Sequence, residues 1–375
     1  MAAAGVIADF ALPRELEAAA PPEARGLARD AVRLLVSQLA AGAIRHARFR
    51  DLGDMLAPGD LLVVNTSGTL NAALEVRSDR GERFELHLST ELPGGFWSVE
   101  LRAPGPLASI PFRDGVPGMR LELPHRAHAT LLAPYPAVLS ATAAASGSGS
   151  RLWLASLVLP LPLLPYLERF GFPIRYSYVD RQWPSSMYQT IFATDAGSAE
   201  MPSAGRPFTP DLVTRLVSRG VQLAPILLHT GVASLEDHEP PYEEWFRVEA
   251  ATAERVNAAR RAGRRVIAVG TTVVRALESV TDETGHTSAG SGWTNLVITP
   301  THRIRSVNGL MTGFHEPRAT HLAILERVAA AALASSGRPA DAAALQLERA
   351  YAAARAEQYQ WHEFGDSHLI LGSLD

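Results

Sequence analysis

The feature that most constrains the fold is a short apolar run, residues 266–269, which passes through Gly270 directly into a helical pattern. Val-Ile-Ala-Val is uninterrupted and rich in β-branched residues, as expected of a strand buried on both faces of a parallel or mixed sheet. Gly270 allows a sharp exit, and Thr271 or Thr272 is predicted to cap the helix that follows. Because a helix N-terminus favours an anion, this turn is predicted to face a ligand.

Two charged residues extend this prediction. Arg275 and Glu278 lie three positions apart on one face of the predicted helix, near its opening, and are candidates for the wall of a charged pocket. An ordinary strand-to-helix turn with a surface ion pair accounts for the same pattern equally well.

Other apolar runs also end in polar residues. Residues 61–64 precede Asn65, and residues 221–228 precede His229. Open α/β sheets bind ligands beyond the carboxyl ends of their strands, so these residues are candidates for a site. A histidine at such a position is a plausible acid or base, although a purely structural histidine is as plausible.

The sequence pattern changes between residues 74 and 130, where short segments of alternating apolar and polar residues are separated by Gly and Pro. This pattern predicts a small antiparallel β-domain inserted into an α/β protein, with boundaries at 1–73, 74–151 and 152–375. Local patterns also predict helices over residues 23–39 and 244–261 and a strand over 188–193.

Composition excludes several classes of function. The chain has 375 residues, a net charge of −4 and no cysteine, which excludes disulfides, thiolate nucleophiles and Cys-ligated metals. Any nucleic-acid contact must use a local basic patch, for which residues 260–265 are the best candidate, although a solvated helix end fits them better. No signal peptide or membrane span is expected, so we expect a cytoplasmic protein.

A metal site is not expected either. His362, Glu363, Asp366 and His368 are close in sequence, but their spacing matches no familiar ligand pattern. Dinucleotide-binding, ATP-binding and hydrolase motifs are absent from the sequence.

Several motifs resemble one family. Residues 269–279 are similar to the Val-Gly-Thr-Thr-x-x-Arg-x-Leu-Glu signature of the S-adenosylmethionine:tRNA ribosyltransferase-isomerases of the queuosine pathway. Further segments match the family in the same order: Tyr-Gln-Thr (188–190), Pro-Ser-Ala-Gly (202–205), Leu-His-Thr-Gly (228–231), Thr-Gly-Phe-His (312–315) and Phe-Gly-Asp (364–366). On these motifs the chain is identified as a member.

The resemblance implies a main α/β domain with an inserted small antiparallel β-barrel domain. It implies S-adenosylmethionine as co-substrate and ribosyl donor, with no metal, and tRNA carrying 7-aminomethyl-7-deazaguanine as acceptor. Transfer and isomerisation of the ribosyl group would give epoxyqueuosine and release adenine and methionine. The expected protein is a monomer that binds tRNA and no membrane.

The resemblance and the strand-end pattern together give a set of candidate site residues. The catalytic candidates are His229, His315 and Glu244. The substrate-binding candidates are Asn65, Gln189, Gly205, Gly270, Thr271, Thr272, Arg275, Glu278, Phe314 and Asp366.

The sequence departs from the family pattern in ways that leave the acceptor open. Pro207 and Tyr242 stand where the family has histidine, and the loop after Asn65 lacks two arginines. Two alternatives to the family reaction therefore remain: a divergent S-adenosylmethionine enzyme with a non-tRNA acceptor, or a non-catalytic nucleotide- or RNA-binding paralogue. A narrow closed pocket favours the former, and a pocket blocked by Arg206 or Trp245 favours the latter.

Overall fold

The computed structural model describes residues 10–135, 149–232, 242–334, 339–340 and 342–372. The strands of the main sheet are β1 (Arg33–Gln38), β2 (Ala43–Arg48), β3 (Leu61–Asn65), β13 (Gln222–Leu228), β14 (Glu244–Val248), β15 (Val266–Val269), β16 (Gly290–Thr294), β17 (Gly309–Gly313) and β18 (Ser367–Leu371). The helices are α1 (Leu163–Phe170), α2 (Pro210–Ser218), α3 (Ala250–Arg261), α4 (Thr271–Glu278), α5 (His321–Ala334) and α6 (Ala342–Ala356).

The main sheet has nine strands in the order β16-β14-β13-β3-β15-β17-β18-β1-β2. Its four central strands, β13, β3, β15 and β17, are parallel, and β18 runs antiparallel to β17. The carboxyl ends of the parallel strands and the start of β18 therefore lie at one edge of the sheet. Ligands bind at this edge in open α/β sheets.

Helices cover both faces of this sheet. In β15, Val266 and Ala268 pack with helices α3 to α6 on one side, while Ile267 and Val269 pack with α2 on the other. Burial on both faces is why the strand is an uninterrupted apolar run rather than an alternating one. The predicted strand at residues 266–269 is confirmed.

A barrel is inserted between β3 and α1. Its strands are β5 (Ala73–Ser78), β6 (Arg83–Leu92), β7 (Phe96–Ala103), β9 (Arg120–Leu123), β10 (Ala127–Tyr135) and β11 (Leu152–Val158), all paired antiparallel. Pairing of β11 with β7 closes six strands into a barrel, to which β8 (Ile110–Pro111) adds at β7. Two short strands, β4 (Ser67–Thr69) and β12 (Asp195–Ser198), pair separately. The predicted fold class is confirmed, and the barrel strand β11, Leu152–Val158, lies entirely beyond the predicted insert boundary at residue 151.

Three local predictions are wrong. Residues 23–39 contain two 3-10 turns and then β1, whose Leu34, Leu35 and Val36 are buried within the main sheet. Residues 244–248 form β14, paired on both sides, so the helix begins only at Ala250. Residues 188–193 form no strand, because the Tyr188 carbonyl and the Gln189 side chain bond to Thr69 instead.

Candidate active site

Most of the predicted site residues lie at the edge of the sheet where the parallel strands end. Asn65, His229, Gly270 and Phe314 lie at or just beyond the ends of the four parallel strands, and Asp366 immediately precedes β18. The hydrogen bonds and ion pairs of each residue show whether its polar atoms stabilise the fold or remain unpaired.

The turn after β15 depends on Gly270, whose backbone has φ +103° and ψ 150°. This region of conformational space is accessible essentially only to glycine. The Gly270 N–H donates to the carbonyl of Met311 at 2.8 Å, which ties the turn to β17. The N-cap of α4 is Gly270 itself, which has no side chain, so the predicted threonine cap is wrong.

Arg275 and Glu278 are both buried, but they do not pair with each other. Arg275 forms an ion pair with Glu244 and donates from Nε to the Leu296 carbonyl at 3.1 Å. Glu278 accepts from the Ser306 N–H at 2.7 Å and Oγ at 2.5 Å. Each side chain therefore secures a different loop against α4, which rules out an ion pair between the two, and their place in the wall of a charged pocket stays a prediction.

Glu244 links this helix to the loop after β13. Besides its ion pair with Arg275, its carboxylate accepts from the Gly231 N–H at 3.2 Å. Its neighbour Tyr242 receives a hydrogen bond from Arg151 of the barrel region at 3.2 Å. Glu244 therefore holds the His229 loop in place, and its predicted catalytic role stays a prediction.

His229 lies beside a chain of hydroxyl groups. Its Nδ1 is 2.8 Å from Ser67 Oγ, which is 2.6 Å from Ser198 Oγ. Asn65 fixes the same corner, because its amide bonds both the N–H and the carbonyl of Leu228. Asn65 is thus a structural bridge between β3 and β13.

The imidazole of His229 is confined on two sides. It stacks on Trp245 with ring centres 5.9 Å apart, and a Cβ placed on Gly197 would lie 2.4 Å from its Cε1. Burial lowers the pKa of His229, with Asp195 acting in the opposite direction. A neutral imidazole at pH 7 is able to accept a proton, which suits an acid–base or hydrogen-bonding role.

His315 and Phe314 follow β17. His315 Nε2 is 2.9 Å from Thr312 Oγ1, and its ring stacks on His321 with centres 4.7 Å apart. Burial, followed by the nearby histidines, holds the pKa of His315 well below its usual value. Phe314 is buried and stacks on His368 at 5.6 Å, so it belongs to the core behind the site.

Three other predicted residues have structural contacts. Gln189 bonds the backbone of Thr69 through both ends of its amide, at 3.0 and 2.7 Å. Gly205 ends a 3-10 turn, Ser203–Gly205. Asp366 accepts from the Arg33 N–H at 2.7 Å and the Gln360 N–H at 2.8 Å, and its ion pair with Arg33 is 3.1 Å long.

A cleft at the same edge contains the residue that the sequence prediction missed. It is a narrow cleft lined by Val32, Ser203, Ala204, Arg206, Pro207, Gly313 and residues 362–367. Ala204 also faces the Gly270 turn, since a Cβ on Gly270 would lie 3.6 Å from the Ala204 Cβ. Three of the motifs that carry the family resemblance thus meet here, around Glu363.

Glu363 differs from the other carboxylates of the site. Its Oε2 is buried and has no hydrogen-bond partner in the described part of the chain. Burial raises the pKa of Glu363 from 4.5 to about 7, with Arg206 acting in the opposite direction. The only signal in the sequence was its place before the Phe-Gly-Asp motif, which does not reveal an unpaired carboxylate.

The described residues contain no group of three or more His, Asp or Glu side chains able to hold a metal ion. In the same residues, no helix has both the length and the apolar character needed to cross a membrane.

Comparison with known proteins identifies the family. A family model described as queuosine biosynthesis protein matches residues 8–370. The chain belongs to this family. An S-adenosylmethionine:tRNA ribosyltransferase-isomerase of Thermus thermophilus is 36% identical over 373 residues, with 97% of this chain and 98% of the relative covered. One of Heliobacterium modesticaldum is 34% identical with the same coverage.

The fold agrees with this membership in the queuosine biosynthesis family. The crystal structure of an S-adenosylmethionine tRNA ribosyltransferase from Thermotoga maritima superposes with a TM-score of 0.51 at 27% identity, covering 97% of this chain and 99% of that one. The protein is thus an enzyme of the ribosyltransferase-isomerase class, which confirms the family resemblance.

Proposed function

We propose that this protein transfers and isomerises the ribosyl group of S-adenosylmethionine onto 7-aminomethyl-7-deazaguanine in tRNA, giving epoxyqueuosine and releasing adenine and methionine. The observation that carries this proposal is the convergence of three family motifs on one cleft at the sheet edge, around Ala204, Gly313 and residues 362–367. The relatives with this family name match over nearly the whole chain.

The chemistry suits the groups present. The sulfonium of S-adenosylmethionine acidifies the ribose C5′ hydrogens, so a positioned base suffices to begin the reaction. The raised pKa of Glu363 gives its ionised form a higher proton affinity, and the lowered pKa of His229 favours the neutral imidazole, which can accept a proton. The backbone N–H groups at the start of α4 are suited to an anionic or electron-rich part of a substrate.

The basic patch at residues 260–265 lies away from the cleft. This patch precedes β15, whereas the cleft lies beyond the other end of the same strand. Arg265 is also buried in an ion pair with Asp60, and Arg260 donates to the Gly285 carbonyl. Any tRNA contact near the cleft therefore uses other residues.

A second candidate function is the use of S-adenosylmethionine with a non-tRNA acceptor. Pro207 lines the cleft where the family pattern has histidine. Arg206, another cleft residue, is held by Glu23 at 2.8 Å and by the Met187 carbonyl at 2.8 Å. Of the two residues whose blocking of the pocket would favour a non-catalytic paralogue, only Arg206 lines the cleft, because Trp245 stacks on His229 instead.

The test is incubation of the protein with S-adenosylmethionine and tRNA that carries the aminomethyl-deazaguanine, followed by chromatography for adenine and methionine and mass spectrometry of the tRNA nucleosides. The matched control is the same tRNA with guanine at that position. We expect release only with the modified tRNA, together with an epoxyqueuosine nucleoside. Donor binding by calorimetry without tRNA-dependent release would favour the second candidate, and absence of donor binding would refute both.

A further inference from the structure

Glu363 is half-buried, and one of its carboxylate oxygens, Oε2, is buried without a hydrogen-bond partner in the described residues. The buried carboxylates Asp60, Glu278 and Asp366 each accept hydrogen bonds from backbone or side-chain donors. Glu363 Oε2 has none from the described residues. Leaving a carboxylate oxygen buried without a donor costs free energy, so such an atom in a cleft indicates a partner supplied by a ligand or a reaction.

The turn that carries Glu363 is held in a strained conformation. His362 has φ +71°, in the left-handed region that non-glycine residues rarely adopt. Its ring stacks on Tyr178 with centres 4.1 Å apart, its Nε2 is 3.3 Å from Glu17 Oε1, and its carbonyl accepts from the Gly365 N–H at 3.1 Å. Strain that is fixed by several contacts is typical of functional sites.

A second polar group beside this turn is also unpaired. The Tyr188 hydroxyl is buried and lacks a hydrogen-bond partner in the described residues, while its ring packs on Phe364 with centres 5.2 Å apart. Burial and then the charge of Glu363 raise the pKa of Tyr188. An unpaired donor therefore packs on the same turn that holds the unpaired oxygen of Glu363.

The surrounding charges do not neutralise Glu363. Arg206 is the cation of the cleft, and Glu23 binds it. The remaining charged or titratable groups near Glu363 come from the segments that pack on its turn: Tyr178, Tyr188, and His362 with its partners Glu17 and Glu316, together with Asp366, which binds Arg33. With burial dominant, the pKa of Glu363 rises to about 7.

We propose that Glu363 is the general base that removes the C5′ proton of the ribosyl donor. This inference rests on the proposed function. The C5′–H bond breaks, its electron pair remains on C5′ next to the sulfonium, and the proton passes to a carboxylate oxygen of Glu363. The carboxylic acid formed in this way later releases its proton to solvent.

A base with a pKa near the working pH combines a large ionised fraction with useful proton affinity. Pro207 provides no alternative base where it lines the cleft. His229 belongs to the separate Ser67–Ser198 cluster, which leaves it available to orient a substrate.

The experiment compares Glu363→Gln with the wild type, with Glu363→Asp as the variant that keeps a carboxylate. Glu357→Gln is the matched control, because it makes the same change at an exposed position six residues away. Adenine release in the presence of modified tRNA is measured from pH 5.5 to 9, and binding of S-adenosylmethionine is measured by calorimetry.

For the wild type we expect kcat/KM to rise with pH and to level off above about 7. Glu363→Gln should bind the donor within a few-fold of wild type, lose at least about 100-fold in kcat and lose this pH dependence. Glu363→Asp should recover part of the rate, and Glu357→Gln should match the wild type.

Two results would overturn the inference in distinguishable ways. If Glu363→Gln keeps more than a tenth of wild-type turnover with the wild-type pH profile, Glu363 is not the base, while the proposed function stands. If the wild type itself releases no adenine with the modified tRNA, the proposed function fails and the assignment of the base fails with it.

Discussion

Replacement of Glu363 by glutamine has a stability effect that is independent of catalysis. Burial raises the pKa of this carboxyl from 4.5 to about 7 in the folded protein. Between these pH values the folded state holds a proton that the unfolded state has lost. The stabilisation linked to this proton is therefore complete below pH 4.5 and is lost as pH rises through 7.

The magnitude follows from the two pKa values. A tenfold change in proton affinity corresponds to about 1.4 kcal/mol. A displacement from 4.5 to about 7 therefore corresponds to a loss of about 3 kcal/mol in the free energy of unfolding between pH 4 and pH 8. Glutamine has nearly the same shape but does not titrate, so Glu363→Gln should lack this component.

The assay is urea denaturation of wild type and Glu363→Gln at pH 5 and pH 8. Most of the expected difference falls in this interval, so the wild type should lose about 2 kcal/mol more than the variant. Effects of the buried histidines and of the amide itself cancel in this double difference. The exposed Glu357→Gln variant should behave as wild type. Equal pH dependence in all three proteins, within about 0.5 kcal/mol, would refute the unpaired burial of Glu363.

Two further substitutions test the contacts of Glu244 and His229. Arg275→Ala should lower the free energy of unfolding by about 3 kcal/mol in urea denaturation, because it leaves Glu244 without its buried partner; a loss under 1 kcal/mol would contradict this. Gly197→Ala should displace His229, since the new Cβ would lie 2.4 Å from the ring, and should weaken S-adenosylmethionine binding at least tenfold, or about 1.4 kcal/mol, by calorimetry. Gly53→Ala is its control, because its new Cβ would meet only the exposed side chain of Arg219, at 3.2 Å, and equal binding by both variants would remove His229 from the donor site.

The sequence predicted the fold correctly where a local pattern of apolar residues is compatible with only one type of secondary structure. β3 and β15 are short apolar runs bounded by turn residues, and both are strands. The segments of β5, β9 and β10 alternate between buried and more exposed residues, which predicts antiparallel pairing.

The failures arose where tertiary pairing overrides a local pattern. Leu34 and Leu35 fit a helical stripe, but β1 lies between β18 and β2 and is buried on both faces. Gly26, with φ +77°, ends the preceding 3-10 turn before a helix can continue. The spacing of Arg275 and Glu278 likewise suggested an ion pair, whereas Glu244 and Ser306 from other segments bind them.

The sequence also predicts the location of the candidate site better than the role of each polar side chain in it. The motifs locate the sheet edge correctly, because strand ends and glycine turns are visible in sequence, and Asn65, His229 and Gly270 all lie there. They do not distinguish a polar side chain that holds the fold from one that is free to react. Asp366 and Glu363 are three residues apart, yet the carboxylate of Asp366 accepts hydrogen bonds from Arg33 and Gln360, while Oε2 of Glu363 is buried without a donor in the described residues. This difference depends on where the donors of distant segments lie, so it exists only in the folded chain, and it makes Glu363 the carboxylate whose ionisation is available for chemistry.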